Sequence, residues 1–138
     1  NLGSLIRSAH CFGAGGVVIP RDRAAAVTPA VIKASAGAAA HVPVARVVNL
    51  TQAIDFLKEK GFWVYGADAV ADTRLESARF EGDIGLVMGS EGKGLRPLVR
   101  KHCDVLLSIP LFGKVDSLNV SVAACIVLHE IRRQSAPR

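Results

Sequence analysis

Short apolar runs alternate with segments of helical periodicity along this chain, and that alternation restricts it to few architectures. Residues 17–19, 44–48, 62–67, 84–88 and 105–109 are rich in β-branched, aliphatic or aromatic residues and have the length of strands. Leu2, Leu5, Ile6, Ala9 and Phe12 recur at helical spacing until Gly13, so residues 1–12 predict an amphipathic helix. Residues 29–34 predict a short helix with Pro29 in its first turn. Asn49 or Thr51 can cap a helix running through Lys60, with Gly61 just past its end. Two more helices follow, over residues 95–102 and from about Asn119 to Arg133, while residues 68–83 read as a loop with at most one helical turn. Parallel neighbours need crossover connections, which helices supply. The pattern therefore predicts an α/β fold with a mostly parallel sheet flanked by helices on both faces.

The last helix is apolar nearly all round from Val120 to Leu128, which predicts burial on more than one side and points to a partner subunit. With 138 residues, half of them hydrophobic, the chain has the material for one domain with a sizeable core. It lacks an apolar run of the roughly 18 residues needed to span a membrane and opens on no signal-peptide layout, so a cytoplasmic location without membrane contact is expected. Its first residue is Asn, with a helical pattern already under way, and further sequence upstream is expected. Cys11, Cys103 and Cys125 are far apart in apolar or helical surroundings and predict buried free thiols. Neither they nor His10, His41, His102 and His129 have the spacing of a metal site, so no metal is expected. The net charge of +5 favours an anionic partner such as nucleic acid, although scattered surface cations also serve solubility.

Two loops could carry chemistry. Gly89-Ser90-Glu91-Gly92-Lys93-Gly94 follows a buried strand, where glycines let backbone approach a ligand. It matches neither the phosphate loop nor the dinucleotide fingerprint, since Lys93 is followed by Gly94, and taken alone it fits a tight turn as well as a site. The second loop runs from Ile109 through Pro110, Leu111 and Phe112 to Ser117 and Asn119. A strand end, a polar loop and a helix start form the usual crevice of an open α/β sheet. Ser117 and Asn119 are also ordinary helix caps, and Arg7 alone is an ordinary surface charge.

The order of these signals is more specific than any one of them. Asn1-Leu2-Gly3-Ser4-Leu5-Ile6-Arg7 has the form N-x-G-x-x-x-R, and residues 86–95 and 109–123 follow it at the expected distances. Together they resemble the three-motif pattern of the SpoU (TrmH) family of RNA ribose methyltransferases, of the SPOUT class, over the whole chain. The resemblance is nearest to the RlmB-like members, which modify a guanosine ribose in large-subunit ribosomal RNA. Ser90 departs from it, standing where many relatives carry Asn.

The resemblance implies an S-adenosylmethionine-dependent methyl transfer to a ribose 2′-hydroxyl by a homodimer, and a C-terminal trefoil knot, which general topology rules would disfavour. It further implies cofactor contacts at Met88, Gly89, Ile109, Leu111 and Leu118, and polar residues beside the reacting centre at Ser117, Asn119 and Glu91. Arg7 would act on the 2′-hydroxyl, with Asn1 orienting it, and Gly3 leaves room beside Arg7 on the same helix face. An arginine is too weak an acid to serve well as a base, so electrostatic stabilisation of the developing alkoxide is the expected role. Arg21, Arg23, Lys93, Arg96, Arg100 and Lys101 are candidate contacts to RNA phosphates. RlmB-like enzymes carry an amino-terminal RNA-binding domain, expected upstream of Asn1. A transfer RNA ribose methyltransferase, a non-catalytic RNA-binding module on the same fold and a flavodoxin-like nucleotide-binding domain are the competing readings.

Overall fold

A computed structural model describes residues 1–21, 27–90 and 92–135. The elements in chain order are α1 (Leu2–Cys11), β1 (Val17–Pro20), α2 (Pro29–Ala34), β2 (Val44–Val47), α3 (Leu50–Glu59), β3 (Trp63–Ala67), β4 (Thr73–Arg74), β5 (Ile84–Val87), α4 (Pro97–His102), β6 (Val105–Ser108) and α5 (Val120–Ser135). Local chemistry accounts for several boundaries. Asn49 Oδ1 accepts from the Gln52 amide at 3.1 Å and so caps α3, and Thr28 does the same for α2 through the Val31 amide. Gly61, at φ +93°, takes the chain out of α3 in a conformation that other residues rarely adopt.

Among the described residues, the strands β1 to β6 pair in parallel throughout. β1 pairs with β2, and a separate sheet has the order β4-β6-β3-β5, so the last strand in the chain lies between two earlier ones. The alternation along β3 divides the sheet's two faces. Val64 packs with Ile54, Leu95 and Val99 under α3 and α4, while Tyr65 packs with Phe80, Leu107 and Val127 under α5. Burying a Leu or Val side chain contributes about 1.5–3 kcal/mol, and Leu107 and Val127 are wholly buried. At Gly66 a Cβ would meet Leu95 Cδ1 at 2.7 Å and Cys103 Sγ at 2.8 Å, so a glycine is what lets this part of the chain close onto the strand.

A third cluster of Ile6, Ala38 and Val42 holds α1 over the β1-β2 pair. The far end of α1 is tied to α5: Arg132 donates from Nε to the Phe12 carbonyl at 2.9 Å and from Nη2 to the Gly13 carbonyl at 3.2 Å. A guanidinium there satisfies free carbonyls at the negative end of the helix dipole.

The structure departs from the sequence expectations at identifiable places. The parallel sheet is divided in two, and β4, only two residues long, sits within the stretch read as a loop. α4 starts at Pro97 rather than Leu95, because Pro suits the first helical turn. The face of α5 carrying Ser121, Ala124 and Val127 is buried, but Val122 and Ile126 are exposed. Cys11, Cys103 and Cys125 are free thiols as expected, but Cys11 is exposed and the other two are half-buried, so none is fully buried. Gly3 leaves no empty space beside Arg7, because a Cβ there would lie 2.6 Å from Ala34 Cβ; its smallness lets α2 pack on α1. Among the described residues no helix is long and apolar enough to cross a membrane.

Candidate functional site

Because β3, β5 and β6 are parallel, their carboxyl ends lie at one end of the sheet, where crevices form in open α/β folds. The three segments that leave those ends line a cleft of about 350 Å³. That volume lies within the ordinary range of small-molecule sites. Ala67 to Val70 come from the end of β3, Met88 to Ser90 and Gly92 to Leu95 follow β5, and Ile109, Leu111, Ser117 and Leu118 follow β6. Met88, Gly89, Ile109, Leu111 and Leu118, far apart in sequence, thus line one space, together with Ser117, Lys93 and Arg100.

The glycine loop is both a turn and a wall. Ser90 and Gly94 pair across it, with the Gly94 amide donating to the Ser90 carbonyl at 3.0 Å, and Gly92 and Gly94 take positive φ values. A Cβ at Gly89 would overlap the Gly94 carbonyl group and reach 2.6 Å from the Leu95 amide. Any side chain there would force the loop open or push into the cleft. Glu91 lies outside the described residues.

Asn119 stands at the start of α5, beside the cleft rather than in its lining. Its Oδ1 accepts from the Ser121 amide and hydroxyl and the Val122 amide, an N-cap in the expected sense. Its Nδ2 donates to Asn1 Oδ1 at 2.9 Å, bringing the first and third motifs together. Arg7, six residues along α1 from Asn1, is exposed and does not line the cleft.

The candidate phosphate contacts are dispersed. Arg21 is exposed on the turn after β1, where its carbonyl accepts from Arg46 Nη2 at 3.1 Å, and Arg23 lies outside the described residues. Lys93, Arg96 and Lys101 are exposed. Arg100 differs: its Nε pairs with Asp68 Oδ2 at 3.0 Å, and the Asp68 side chain is only 9% exposed. Its positive charge is therefore already met at the cleft edge. Sequence reasoning overlooked Asp68 and Asp116, both of which line the cleft. Asp68 immediately follows β3, so the strand-end rule alone could have singled it out.

Burial and the neighbouring Asp104 carboxylate push the Cys103 thiol up to about 11, which leaves it protonated and a poor nucleophile near neutrality. No group of three or more His, Cys, Asp or Glu suited to a metal occurs among the described residues. The cleft thus offers backbone, apolar walls and a few polar side chains, a set suited to holding and aligning reactants.

The sequence profile of the SpoU rRNA Methylase family matches residues 1–129. The chain is 56% identical over 134 residues to an uncharacterized tRNA/rRNA methyltransferase of Synechocystis, covering 97% of this chain and 35% of that protein. It is 49% identical over 134 residues to the 23S rRNA (guanosine-2′-O-)-methyltransferase RlmB of Coxiella burnetii, covering 97% of this chain and 54% of that protein. The chain thus spans between about a third and about half of the length of these curated relatives. Among solved structures, the SpoU methyltransferase AviRb from Streptomyces viridochromogenes, in complex with AdoMet, superposes with a TM-score of 0.89 at 31% identity, over 99% of this chain and 54% of that one.

Proposed function

The chain belongs to the SpoU rRNA methylase family, and from that premise we propose that it methylates a ribose 2′-hydroxyl of RNA with S-adenosylmethionine, on a guanosine of large-subunit ribosomal RNA. The observation that carries this reading is the convergence of three distant segments, after β3, β5 and β6, on one cleft at the carboxyl end of the sheet. RlmB of Coxiella burnetii supplies the nucleotide and the RNA, and AviRb, solved with AdoMet, supplies the cofactor. The C-terminal knot and action in the cytoplasm belong to the same proposal.

The residues present fit the cofactor. Gly89, without a side chain, lets the Gly94 backbone close against it and so holds the glycine loop as one wall of the cleft, and Met88, Ile109, Leu111 and Leu118 provide apolar walls. When bound, S-adenosylmethionine supplies a methyl group on a cationic sulfur, open to attack by an oxygen. In-line displacement demands alignment above all, and excluding water from these walls favours the ribose oxygen as nucleophile. Ser117 lies on the cleft wall and is assigned contact with the ribose hydroxyl, and Glu91 is assigned the orienting carboxylate.

Arg7 is assigned the stabilisation of the developing alkoxide, for which a permanent cation suits better than a base. Since Arg7 does not line its own chain's cleft, a second copy of the chain delivers it, and the exposed Val122 and Ile126 of α5 are apolar surface such a copy would cover. Asn1, held by Asn119, sets the start of the helix that carries Arg7. Arg21, Arg23, Lys93, Arg96 and Lys101 contribute phosphate contacts that carry no sequence choice.

The test is methylation of unmodified large-subunit ribosomal RNA and transfer RNA transcripts with labelled S-adenosylmethionine, followed by mapping of the ribose that resists alkaline cleavage. Label at one guanosine of the ribosomal transcript is the expected result. Label confined to transfer RNA would move the substrate, and label in neither would remove the assignment.

A further inference from the structure

Phe112 stands on the loop that walls the cleft, with 91% of its surface exposed. The same loop supplies Ile109, Leu111, Ser117 and Leu118 to the lining. Residues 111–117 are all exposed, and a Cβ at Gly113 would have no described heavy atom within 4 Å, so the neighbourhood of the ring is open. A ring left in water forgoes the stabilisation that burial would bring, and here it contributes nothing to the core. Among the described residues, no other Phe, Tyr or Trp belongs to the segments that line the cleft.

The geometry of a ribonucleotide decides what can reach that ring. The 2′-oxygen sits on the carbon next to the one bearing the base, so a ribose presented to the cleft brings its base to the rim. Lys114, exposed two residues beyond Phe112, adds a positive charge at the same place. Sealing Lys114 into an apolar contact with protein would cost its hydration, whereas a phosphate would pair with it.

We propose that Phe112 stacks on the base of the nucleotide whose ribose enters the cleft, with Lys114 on a neighbouring phosphate. The inference rests on the methyl-transfer reading above and adds to it a specific substrate contact. An aromatic face accepts any base, so Phe112 supplies affinity for an unstacked nucleotide and leaves the choice of base to other groups.

The test compares Phe112→Ala, Phe112→Leu and Phe112→Trp on the purified protein, with a large-subunit ribosomal RNA transcript as substrate. Phe112→Ala is expected to raise KM for RNA about tenfold, the size of one lost base stack. Its affinity for S-adenosylmethionine by calorimetry and its sedimentation should match the wild type. Phe112→Trp should restore KM, and Phe112→Leu, apolar but without a π face, should behave as Phe112→Ala. An unchanged KM in Phe112→Ala, or a wild-type KM in Phe112→Leu, overturns the stacking role. Sedimentation of Phe112→Ala as a smaller species overturns it in favour of contact with a second copy of the chain. A wild-type protein that methylates no RNA removes the methyl-transfer reading and this inference with it, an outcome distinct from the others.

Discussion

Asn119 Nδ2 donates to Asn1 Oδ1 at 2.9 Å, joining residues 118 positions apart. The same Asn119 caps α5 through its Oδ1, so one side chain both starts the last helix and ties it to the start of the first. An Asp at this position would keep the cap, because a carboxylate accepts from the same amides and suits the positive end of the helix dipole. It could not donate to Asn1. Asn119→Asp should therefore retain the thermal midpoint of the wild type while lowering kcat/KM for methyl transfer by about tenfold or more, the scale of a lost positioning contact. Asn119→Ala should lose both functions, with about 1 kcal/mol of stability gone by urea titration.

Gly89→Ala places a methyl group on the Gly94 carbonyl. The glycine loop must then move, and the cost should be about 1–3 kcal/mol, typical of overpacking. Because the loop is a wall of the cleft, calorimetry should also show S-adenosylmethionine affinity reduced or lost. A variant of wild-type affinity would place the ligand elsewhere.

Arg7→Ala should abolish methyl transfer and leave cofactor affinity intact, since Arg7 lies outside the cleft of its own chain. If a second copy delivers Arg7, mixing Arg7→Ala with Gly89→Ala should recover activity, because a mixed pair holds one intact cleft facing one intact arginine. No recovery on mixing, with mixed pairs demonstrated, would place Arg7 in its own chain's site.

Hydrogen bonds from Arg133 and Gln134 hold the Glu130 carboxyl down to about 2. An unfolded glutamate titrates near 4.3. The folded state therefore binds this proton less readily, so the contribution is fully present above about pH 5 and is lost as pH falls from there towards 2. Gln134 also bonds the Ala78 carbonyl and the Phe80 amide, so loss of order at Glu130 reaches the segment that closes the core beneath α5. Urea midpoints measured from pH 7 to pH 3 should fall more steeply for the wild type than for Glu130→Gln, which has no carboxyl to protonate.

Much of the secondary structure is legible from short windows of sequence. The Asn49 cap and Gly61 exit bracket α3, Pro29 and Thr28 start α2, and the apolar runs at 63–67, 84–87 and 105–108 are the main strands. These signals depend on residues within about four positions of each other, where helical and strand geometry fix who meets whom. β4 escaped notice for the same reason, since two residues have no period, and Thr73 and Arg74 are a strand only because Leu107 and Ser108 lie alongside. Of the site, the positions that make the cleft were legible as motifs, but Asp68 and its pairing with Arg100 were not.

By itself, then, the sequence determined most of the strands and helices, that the sheet is mostly parallel, and that the loops after β5 and β6 are candidates for one site. Only the tertiary structure decided that β6 lies between β3 and β4, that Gly3 serves helix packing, that Arg7 does not line its own cleft, and that Asn119 reaches Asn1. Local order follows from covalent geometry and near neighbours. Contacts between distant residues follow from how whole faces bury against one another, which no short stretch of the chain encodes.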